Sequence, residues 1–471
     1  RDTKDTLIVT SSGAETIPFL KFWGVVPSAV IFMLVYAKLS DILSKENLFY
    51  VTIAPFIIFF ALFTLVFYPY RDALHPTTSA DYLLSVLPTG LAGLVGCYQN
   101  WTFSLFYILS ELWGSAVLSL MFWGFANEIM KVSEAKRFYT LLGLGANVAL
   151  MCSGPAIIYF SDIQKHVPEG VDAWQISLNY LMGMVVVSGL IIVAVYWWMN
   201  RNVLTDKRFY DPDNMQRKEK KAKAKLSIVE SFAFLLKSKY ILSIAVLVIS
   251  YGICINLVEV TWKGQLKLQY PNANDYSTFM GYFSFTTGIV TVCMMFIGGM
   301  IIRKKGWGFA AMVTPAVLLI TGICFFAFVL FRDNLSGYIA MLGTTPLFLA
   351  VIFGMAQNIM SKSSKYSLFD PTKEMSYIPL DQESKVKGKA AIDVVGARLG
   401  KSGGSLIQQF MLVGFGSLAA STPYIAICMV VIIGVWMIAV RVLSKQYLAL
   451  TGETVTEKAP EQPAEAITVK A

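Results

Sequence analysis

The chain has 471 residues, of which 56% are hydrophobic and only 15% are charged, and its formal net charge is +9. Soluble proteins carry about 25% charged residues, so this composition excludes an ordinary soluble enzyme or nucleic-acid-binding domain. Apolar runs of about twenty residues recur along the chain, which is the length that a helix needs to cross a bilayer. The sequence therefore predicts a polytopic membrane protein.

Cysteine, histidine and glycine patterns give no sign of a catalytic or metal centre. The six cysteines lie in or beside apolar runs without CxxC spacing, so they are interpreted as small buried hydrophobic residues. The two histidines, His75 and His166, lie in polar loops. No serine or cysteine nucleophile therefore has a candidate histidine base. The segment LGKSGG at 399–404 lacks the upstream glycine of a phosphate-binding loop. We expect no metal, no cofactor and no enzymatic hydrolysis of nucleotide.

The chain opens with RDTKDTLIVT, which is interpreted as the end of a helix whose beginning is missing. Eleven further runs of spanning length follow, at 17–38, 48–68, 101–122, 138–160, 178–199, 239–258, 278–301, 308–331, 338–359, 390–414 and 424–443. Basic residues concentrate in every second loop, including Lys45, Lys131, 303–305 and 362–389. By the positive-inside rule these loops and both termini are predicted to be cytoplasmic.

The basic segment 201–226 is predicted to be a cytoplasmic linker that divides the helices six and six. It separates an N-terminal half (1–200) from a C-terminal half (227–451), which precedes a disordered tail (452–471). A weak internal repeat aligns GANVALMCSG at 145–154 with GARLGKSGGS at 396–405. The predicted fold class is an all-α polytopic membrane protein with twelve transmembrane helices, the first incomplete, in a major-facilitator-like arrangement of two halves.

Charged residues interrupt the predicted helix in 385–409. A charge at bilayer depth costs about 2.5–3.5 kcal/mol, so such residues usually face a protein interior or a water-filled path. Helical spacing puts Asp393, Lys401 and Gln408 on one stripe, and nearby glycines allow close approach of a helix or a ligand. This stripe is interpreted as the wall of a substrate path. The alternative is a helix end at the interface, with snorkelling lysines.

Other predicted helices carry similar charges. Lys4 lies on the incomplete first helix, Glu111 lies within an apolar run, and Glu259 shares a stripe with Asn256. Each has a structural alternative: Glu111 could join two helices through a lysine, Glu259 could form a local pair with Lys263, and Lys21 could snorkel. Carboxylates and cations projecting from several helices suit a substrate with multiple negative charges, bound through lysine and arginine.

These residues lie in segments that resemble the ATP/ADP translocases of plastids and obligate intracellular bacteria. The similar segments are RDTKDTLIVT, IPFLKFW, SELWGSAVLSLMFWGFANEI, EAKRFYTLLGLGANVAL, INLVEVTWK, YSLFDPTKEMSYIPLD and KVKGKAAIDVVGARLGKSGGSLIQQF. The resemblance implies ATP:ADP antiport without hydrolysis, accompanied by phosphate in some members. It implies location in a bacterial inner membrane or, alternatively, a plastid inner envelope. Other members import nucleotides with protons, which remains the alternative function.

The resemblance matches the family's transport residues to Lys21, Glu111, Glu259 and Lys401. Together with the stripe argument it predicts a substrate site of Lys4, Lys21, Glu111, Asn147, Asn256, Glu259, Asp393, Arg398 and Lys401. The cations are expected to contact phosphates, the glutamates to tune or gate the site, and Asn147 to touch the base or ribose. The expected partners are ATP, ADP, phosphate and membrane lipid, but not nucleic acid, and the expected state is a monomer.

Overall fold

The fold is described by a computed structural model that covers residues 2–130, 132–205, 238–381, 384–385, 388–389, 392 and 396–451. All regular structure within these residues is helical. Most of the predicted linker at 201–226, the predicted tail at 452–471 and the candidate site residue Asp393 lie outside the described residues.

The N-terminal part of the chain forms six successive long elements. These are α1 (Asp2–Ser12), α2 (Thr16–Ile42), α3 (Lys45–Phe67), α4 (Trp101–Asn127), α5 (Val132–Ser161) and α6 (Ala173–Val203). Short helices at Arg71–Leu74, Thr77–Val86 and Ala92–Gln99 connect α3 to α4. A single turn with Gly13 at φ 90°, a conformation that glycine adopts readily, separates α1 from α2.

The C-terminal part forms six more. These are α7 (Lys239–Gln269), α8 (273–305), α9 (307–330), α10 (Pro346–Ser364), α11 (Ala397–Phe415) and α12 (Leu418–Thr451). The turn between α8 and α9 is a single residue, Gly306, whose φ of 76° lies in the left-handed region that favours glycine. Helix α10 continues through a π-helical turn, Lys365–Phe369, into Asp370–Ser376.

Helices are therefore present at all twelve predicted positions, and the all-α polytopic fold class is confirmed. Eight of the described helices are long and apolar enough to span a membrane, including the merged α8–α9. Large apolar side chains such as Leu34, Phe296 and Ile438 are 61–67% exposed, as expected for surfaces that contact lipid.

The structure corrects two details of the predicted boundaries. The predicted span at 338–359 begins only at Pro346, because a separate short helix occupies Arg332–Ala340. The sequence predicts a cytoplasmic loop at Lys362, yet this residue lies inside α10. The serines and lysines in 361–367 lower the local hydropathy, so this segment resembles a loop in the sequence. The serines at 361, 363 and 364 are nevertheless fully buried.

The N-terminal part (α1–α6) and the C-terminal part (α7–α12), called the two halves below, pack against each other, and two of their contacts are especially close. A Cβ at Gly154 of α5 would lie 2.8 Å from the carbonyl oxygen of Gly281 on α8, so only glycine fits there. On the other side, the Gln409 amide of α11 donates to the Pro18 carbonyl of α2 at 2.9 Å. Four of the charged residues singled out in the sequence, Lys4, Lys21, Glu111 and Glu259, lie on α1, α2, α4 and α7, and Arg398 and Lys401 lie on α11.

Candidate functional site

Six charged side chains from four helices form one continuous chain of ion pairs of alternating sign. Glu111 of α4 contacts Lys4 of α1 at 3.0 Å, and Lys4 contacts Asp5 at 2.9 Å. Asp5 then contacts Lys263 of α7 at 2.9 Å. Lys263 contacts Glu259 at 3.0 Å, and Glu259 contacts Lys21 of α2 at 3.3 Å. Three carboxylates thus neutralise three ammonium groups.

Burial is deepest at the middle of this charge chain. The side chains of Asp5 and Lys263 are 2% and 1% exposed, whereas Glu111 and Lys21 at the two ends are 30% and 18% exposed. Lys4 also lies 3.8 Å from the centre of the Tyr107 ring, a favourable cation–π distance. The central pair is therefore shielded from water, and the ends are accessible.

Local helix geometry sets the position of Lys21. Residues Leu20–Val25 form a π-helical turn inside α2, a feature that is frequent at functional sites. The Lys21 ammonium donates to the amide oxygen of Asn256 at 2.6 Å as well as contacting Glu259. Lys21 thus points into the contact between the halves and does not snorkel. The two other structural alternatives, an interhelical Glu111–lysine pair and a Glu259–Lys263 pair, are both present.

Helix α11 brings Lys401 to the same region. The Asn256 amide nitrogen donates to the Lys401 carbonyl at 3.0 Å. A Cβ at Gly252 would lie 2.7 Å from the Gly400 Cα, and one at Gly404 would lie 3.0 Å from the Asn256 Cβ. Gly400 and Gly404 therefore allow α11 to pack closely against α7. The side chain of Lys401, on the adjoining face of α11, is exposed.

A central cavity of about 320 Å³ lies beside this charge chain, between the two halves. Its apolar lining residues include Leu150, Ile157 and Val185 of α5 and α6. Its polar and aromatic lining residues come from both halves: Asp2, Asn147, Ser153, Ser188, Phe283, Ser284, Thr287, Lys362 and Tyr366. The Lys362 ammonium lies 4.3 Å from the centre of the Phe283 ring. The cavity offers an apolar surface, hydrogen-bonding groups and a cation.

A second, outer cavity of about 290 Å³ lies at the other end of α1, where Thr10, Arg71, Trp174 and Pro271 are among its lining residues. The Asp2 and Thr3 end of α1 faces the central cavity, so the Lys4–Asp5 part of the charge chain lies between the two cavities. The charge chain forms part of the barrier that separates them.

Polar contacts between the halves close the outer side. The Asn274 amide of α8 donates to the Ser161 carbonyl at 2.9 Å and to the Ser177 hydroxyl at 2.7 Å. The Ser161 hydroxyl donates to the Ser277 hydroxyl at 2.8 Å. Loops that lack basic clusters adjoin these residues, so the positive-inside rule assigns them to the non-cytoplasmic face.

The structure brings together five of the nine predicted site residues at the charge chain and its immediate surroundings: Lys4, Lys21, Glu111, Asn256 and Glu259. The Lys401 backbone carbonyl accepts a hydrogen bond from Asn256 at the same place, and Asn147 lines the central cavity. Arg398 is on the first turn of α11. The large aromatic side chains Tyr107 and Trp262 are fully buried and do not line the central cavity.

Sequence reasoning missed Asp5 and Lys263 as members of one cluster, and it missed Lys362, Phe283 and Tyr366 as cavity residues. The pairing of Asp5 with Lys263 depends on the packing of two helices that are distant in sequence, which no local spacing reveals. For Lys362 a usable signal existed, because Lys362 and Tyr366 are four residues apart and share one helical face.

Comparison with known proteins gives a family match over nearly the whole chain. The family model described as TLC ATP/ADP transporter matches residues 1–447. ADP,ATP carrier protein 1 of Chlamydia pneumoniae is 62% identical over 99% of this chain and 91% of its own length. The chloroplastic ADP,ATP carrier protein 1 of Arabidopsis thaliana is 52% identical over 98% of this chain and 73% of its own length. The carrier protein 1 of Rickettsia typhi is 46% identical, over 96% of this chain and 90% of its own length.

Among solved structures, a bacterial homologue of the iron transporter ferroportin in an inward-facing state resembles this chain with a TM-score of 0.43 and 14% sequence identity. The similarity covers 96% of this chain and 98% of that one.

Proposed function

This chain belongs to the TLC ATP/ADP transporter family, and from that membership we propose that it exchanges ATP for ADP across a membrane without hydrolysing either nucleotide. It is an integral multi-pass membrane protein, and its relatives come from bacteria and plastids. The observation that supports exchange most directly is the buried chain of alternating charges beside a central cavity between the halves.

The lysines at this site can bind phosphate only by exchanging partners. In the closed structure Lys21 contacts Glu259 and Asn256, so an incoming phosphate replaces the Glu259 carboxylate as its counterion. Lys401 and Arg398 on α11 would approach the phosphates from the other half, with Asp393 preceding them in sequence. Charge-assisted hydrogen bonds between ammonium or guanidinium groups and phosphate are strong enough for such competition.

The nucleoside is proposed to occupy the central cavity. Its volume of about 320 Å³ is at the small end of the range for ligand pockets, which suits a nucleoside whose phosphates lie outside it. Phe283 and Tyr366 offer aromatic surface for a planar base. The Asn147 side chain is available to hydrogen-bond the base or the ribose, since amide groups both donate and accept.

Transport would follow alternating access, in which the halves 1–200 and 227–451 rock around the charge chain. The contacts at Asn274 close the outer side in this structure, so reorientation must break them. Separating Lys21 from Glu259 without a phosphate would take the carboxylate away from a partly buried ammonium group, which costs on the order of 3–5 kcal/mol. The empty carrier therefore reorients slowly, and exchange is obligatory.

The alternative within the family is a proton-coupled nucleotide importer, with Glu111 or Glu259 as the proton carrier. Phosphate co-transport and a monomeric state are part of our proposal for this chain. The proposed mechanism requires no hydrolysis, because the concentration gradients of ATP and ADP drive the exchange and the carrier couples the two movements through its different affinities in each conformation.

Radiolabelled ATP uptake into proteoliposomes tests the proposal. We expect uptake into vesicles preloaded with ADP, inhibition by excess external ADP, and loss of uptake in Lys401→Ala. Equal uptake into preloaded and empty vesicles would contradict obligatory exchange. Uptake into empty vesicles that a pH step drives would establish the proton-coupled alternative, and release of labelled phosphate by purified protein would overturn the absence of hydrolysis.

A further inference from the structure

The central cavity contains one carboxylate and one ammonium group among its described lining residues. Asp2 of α1 provides the carboxylate, and Lys362 of α10 provides the ammonium group. These two residues belong to different halves of the protein. The charge chain does not include Asp2, because its members run from Glu111 to Lys21. The cavity therefore has an acidic group of its own, to which phosphate binding gives no role.

Ser284 of α8 holds the Asp2 carboxylate at the cavity wall. The Ser284 hydroxyl donates a hydrogen bond to Oδ2 of Asp2, and both residues line the cavity. This contact joins a helix of the N-terminal half to a helix of the C-terminal half. An ionised carboxylate has about four acceptor positions on its two oxygens and donates no hydrogen bond. One hydroxyl occupies one of these positions, so the carboxylate can also accept a hydrogen bond from a ligand in the cavity.

A nucleotide offers this carboxylate two very different ends. The phosphates are anionic, so Asp2 repels them and also disfavours the ribose hydroxyls that lie next to them. The exocyclic amine of adenine lies at the opposite end of the molecule, on the edge of the base, and donates hydrogen bonds. A carbonyl oxygen in the same position, as in guanine or hypoxanthine, would place one acceptor against another. The charge and the acceptor character of Asp2 therefore favour a base edge that carries an amine.

We infer that Asp2 is a specificity-determining residue, which accepts a hydrogen bond from the exocyclic amine of adenine and makes the central cavity selective for 6-aminopurine nucleotides. Leu150 and Val185 offer apolar surface to the faces of the base, and Asp2 contacts its edge. A site that is built to bond a substrate N–H discriminates strongly against an analogue without it, because the polar group of the site then loses its partner. This inference rests on the proposed function, because it places the nucleoside in the central cavity.

The test compares ATP with purine riboside triphosphate, in which hydrogen replaces the exocyclic amine. Both ligands carry the same ribose and phosphates, so the ratio of their affinities reports the amine alone. Competition against labelled ATP on the purified full-length chain in detergent measures both affinities. We expect the wild-type chain to bind ATP about tenfold or more tightly than the analogue, as for a hydrogen bond to a charged group, and Asp2→Ala to bind the two within about twofold.

The ratio is needed because Asp2→Ala also removes a negative charge, which changes the affinity for both nucleotides alike. Thr3→Ala is the matched control, since Thr3 is the next residue of α1 and lines the same cavity. We expect Thr3→Ala to keep the wild-type ratio. Deoxyadenosine triphosphate, which lacks the ribose 2′-hydroxyl, controls for a contact with the sugar. Its affinity relative to ATP should be the same in Asp2→Ala as in the wild-type chain.

Three results would overturn the inference while leaving the proposed function intact. The first is a wild-type ratio near one, or the same ratio in the wild-type chain and in Asp2→Ala. The second is an equal fall of the ratio in Thr3→Ala, which would indicate a general distortion of the cavity. The third is a change for deoxyadenosine triphosphate in place of the amine analogue, which would assign Asp2 to the ribose. Failure of the wild-type chain to exchange ATP for ADP in the uptake assay would instead overturn the proposed function.

A second variant keeps the test decisive if Asp2→Ala is not monodisperse on size exclusion. Asp2→Asn retains the shape of the side chain and an amide oxygen but loses the charge, so its hydrogen bond to the amine is weaker. We expect its ratio of ATP to purine riboside triphosphate affinity to lie between the wild-type ratio and one. An unchanged ratio in Asp2→Asn would overturn the inference.

Discussion

Lys21 and Asn256 form a direct hydrogen bond across the boundary between the two halves, with 2.6 Å from the Lys21 ammonium to the Asn256 amide oxygen. The same amide group donates to the Lys401 carbonyl at 3.0 Å. Asn256 therefore joins the two lysines for which we propose phosphate contacts. It fixes the spacing between a helix of the N-terminal half and a helix of the C-terminal half.

We expect Asn256→Ala to weaken nucleotide transport. The neutral Asn256 amide positions Lys21 beside α11, whereas the Glu259 carboxylate is the partner that phosphate replaces. Loss of such a hydrogen bond to a charged group costs about 1.5–3 kcal/mol, so the ATP concentration for half-maximal exchange should rise about tenfold or more. Uptake into ADP-loaded proteoliposomes measures this. Asn358→Ala is the matched control, because Asn358 is also buried and its amide bonds the Gly354 carbonyl one turn earlier, as Asn256 does with Gly252. Equal losses in both variants would contradict the special role of Asn256.

Lys362 gives a second prediction, because it lines the central cavity above the Phe283 ring. Replacing it by glutamine removes a cation that lines the proposed nucleoside position. We expect Lys362→Gln to raise the half-maximal ATP concentration about tenfold or more, because loss of a hydrogen bond to a charged group costs about 1.5–3 kcal/mol. Competition between labelled and unlabelled ATP in the uptake assay measures the change.

Lys365→Gln serves as the control for Lys362. The Lys365 ammonium contacts Asp370 at 2.8 Å, and Lys365 does not line the central cavity. A partly exposed pair of this kind contributes little to stability or binding. We therefore expect less than a twofold change in Lys365→Gln. A similar loss in both lysine variants would indicate a general charge effect and would contradict a direct contact by Lys362.

Much of the fold and part of the site could be predicted from sequence for one physical reason. Charged residues inside apolar runs are costly, so Glu111, Glu259 and Lys401 stand out from their apolar neighbours in the sequence itself. Lys362 could not be recognised in the same way, because it does not stand out from apolar neighbours. The serines around it make the end of α10 resemble a loop, although several of these serines are buried within the helix bundle.

The pairing of charges could not be predicted, because it depends on which helices pack together. From its position in the sequence, Asp5 would be expected only to pair with the neighbouring Lys4 at the membrane interface. In the structure its second carboxylate oxygen contacts Lys263 on α7. The glycines of α11 are equally ambiguous in the sequence, since close approach of a ligand and of a helix require the same small residue. Only the position of α7 against Gly400 and Gly404 resolves this.

The contact between α7 and α11 gives a third prediction, which concerns stability. A Cβ at Gly252 would lie 2.7 Å from the Gly400 Cα, so Gly252→Ala forces the backbones apart. Overpacking of this kind costs about 1–3 kcal/mol. We expect a lower unfolding temperature in detergent and reduced exchange, since α11 carries Lys401. Gly403→Ala is the control: its Cβ meets nothing within 4 Å, so an equal loss of stability there would contradict the packing argument.

The outer closure gives a fourth prediction. The Asn274 side chain joins α8 to Ser161 and Ser177, so Asn274→Ala should favour opening of the outer side. Thr10 lines the outer cavity and reports this opening when replaced by cysteine in a chain whose six native cysteines are changed to serine. We expect its labelling by an external thiol reagent to become about fivefold faster or more, as a coupling of about 1 kcal/mol implies.

A variant within one half separates this opening from general loosening. Asn179 accepts a hydrogen bond from Thr64, and both residues belong to the N-terminal half, so Asn179→Ala breaks an amide contact without touching the boundary between the halves. We expect Thr10→Cys to be labelled at the parent rate in that background.

Because a nucleotide can shift a conformational equilibrium only through its different affinities for the two states, added ATP should also change the labelling rate in Asn274→Ala. Unchanged labelling in Asn274→Ala, or equally faster labelling in Asn179→Ala, would show that these outer contacts do not hold the outer side closed.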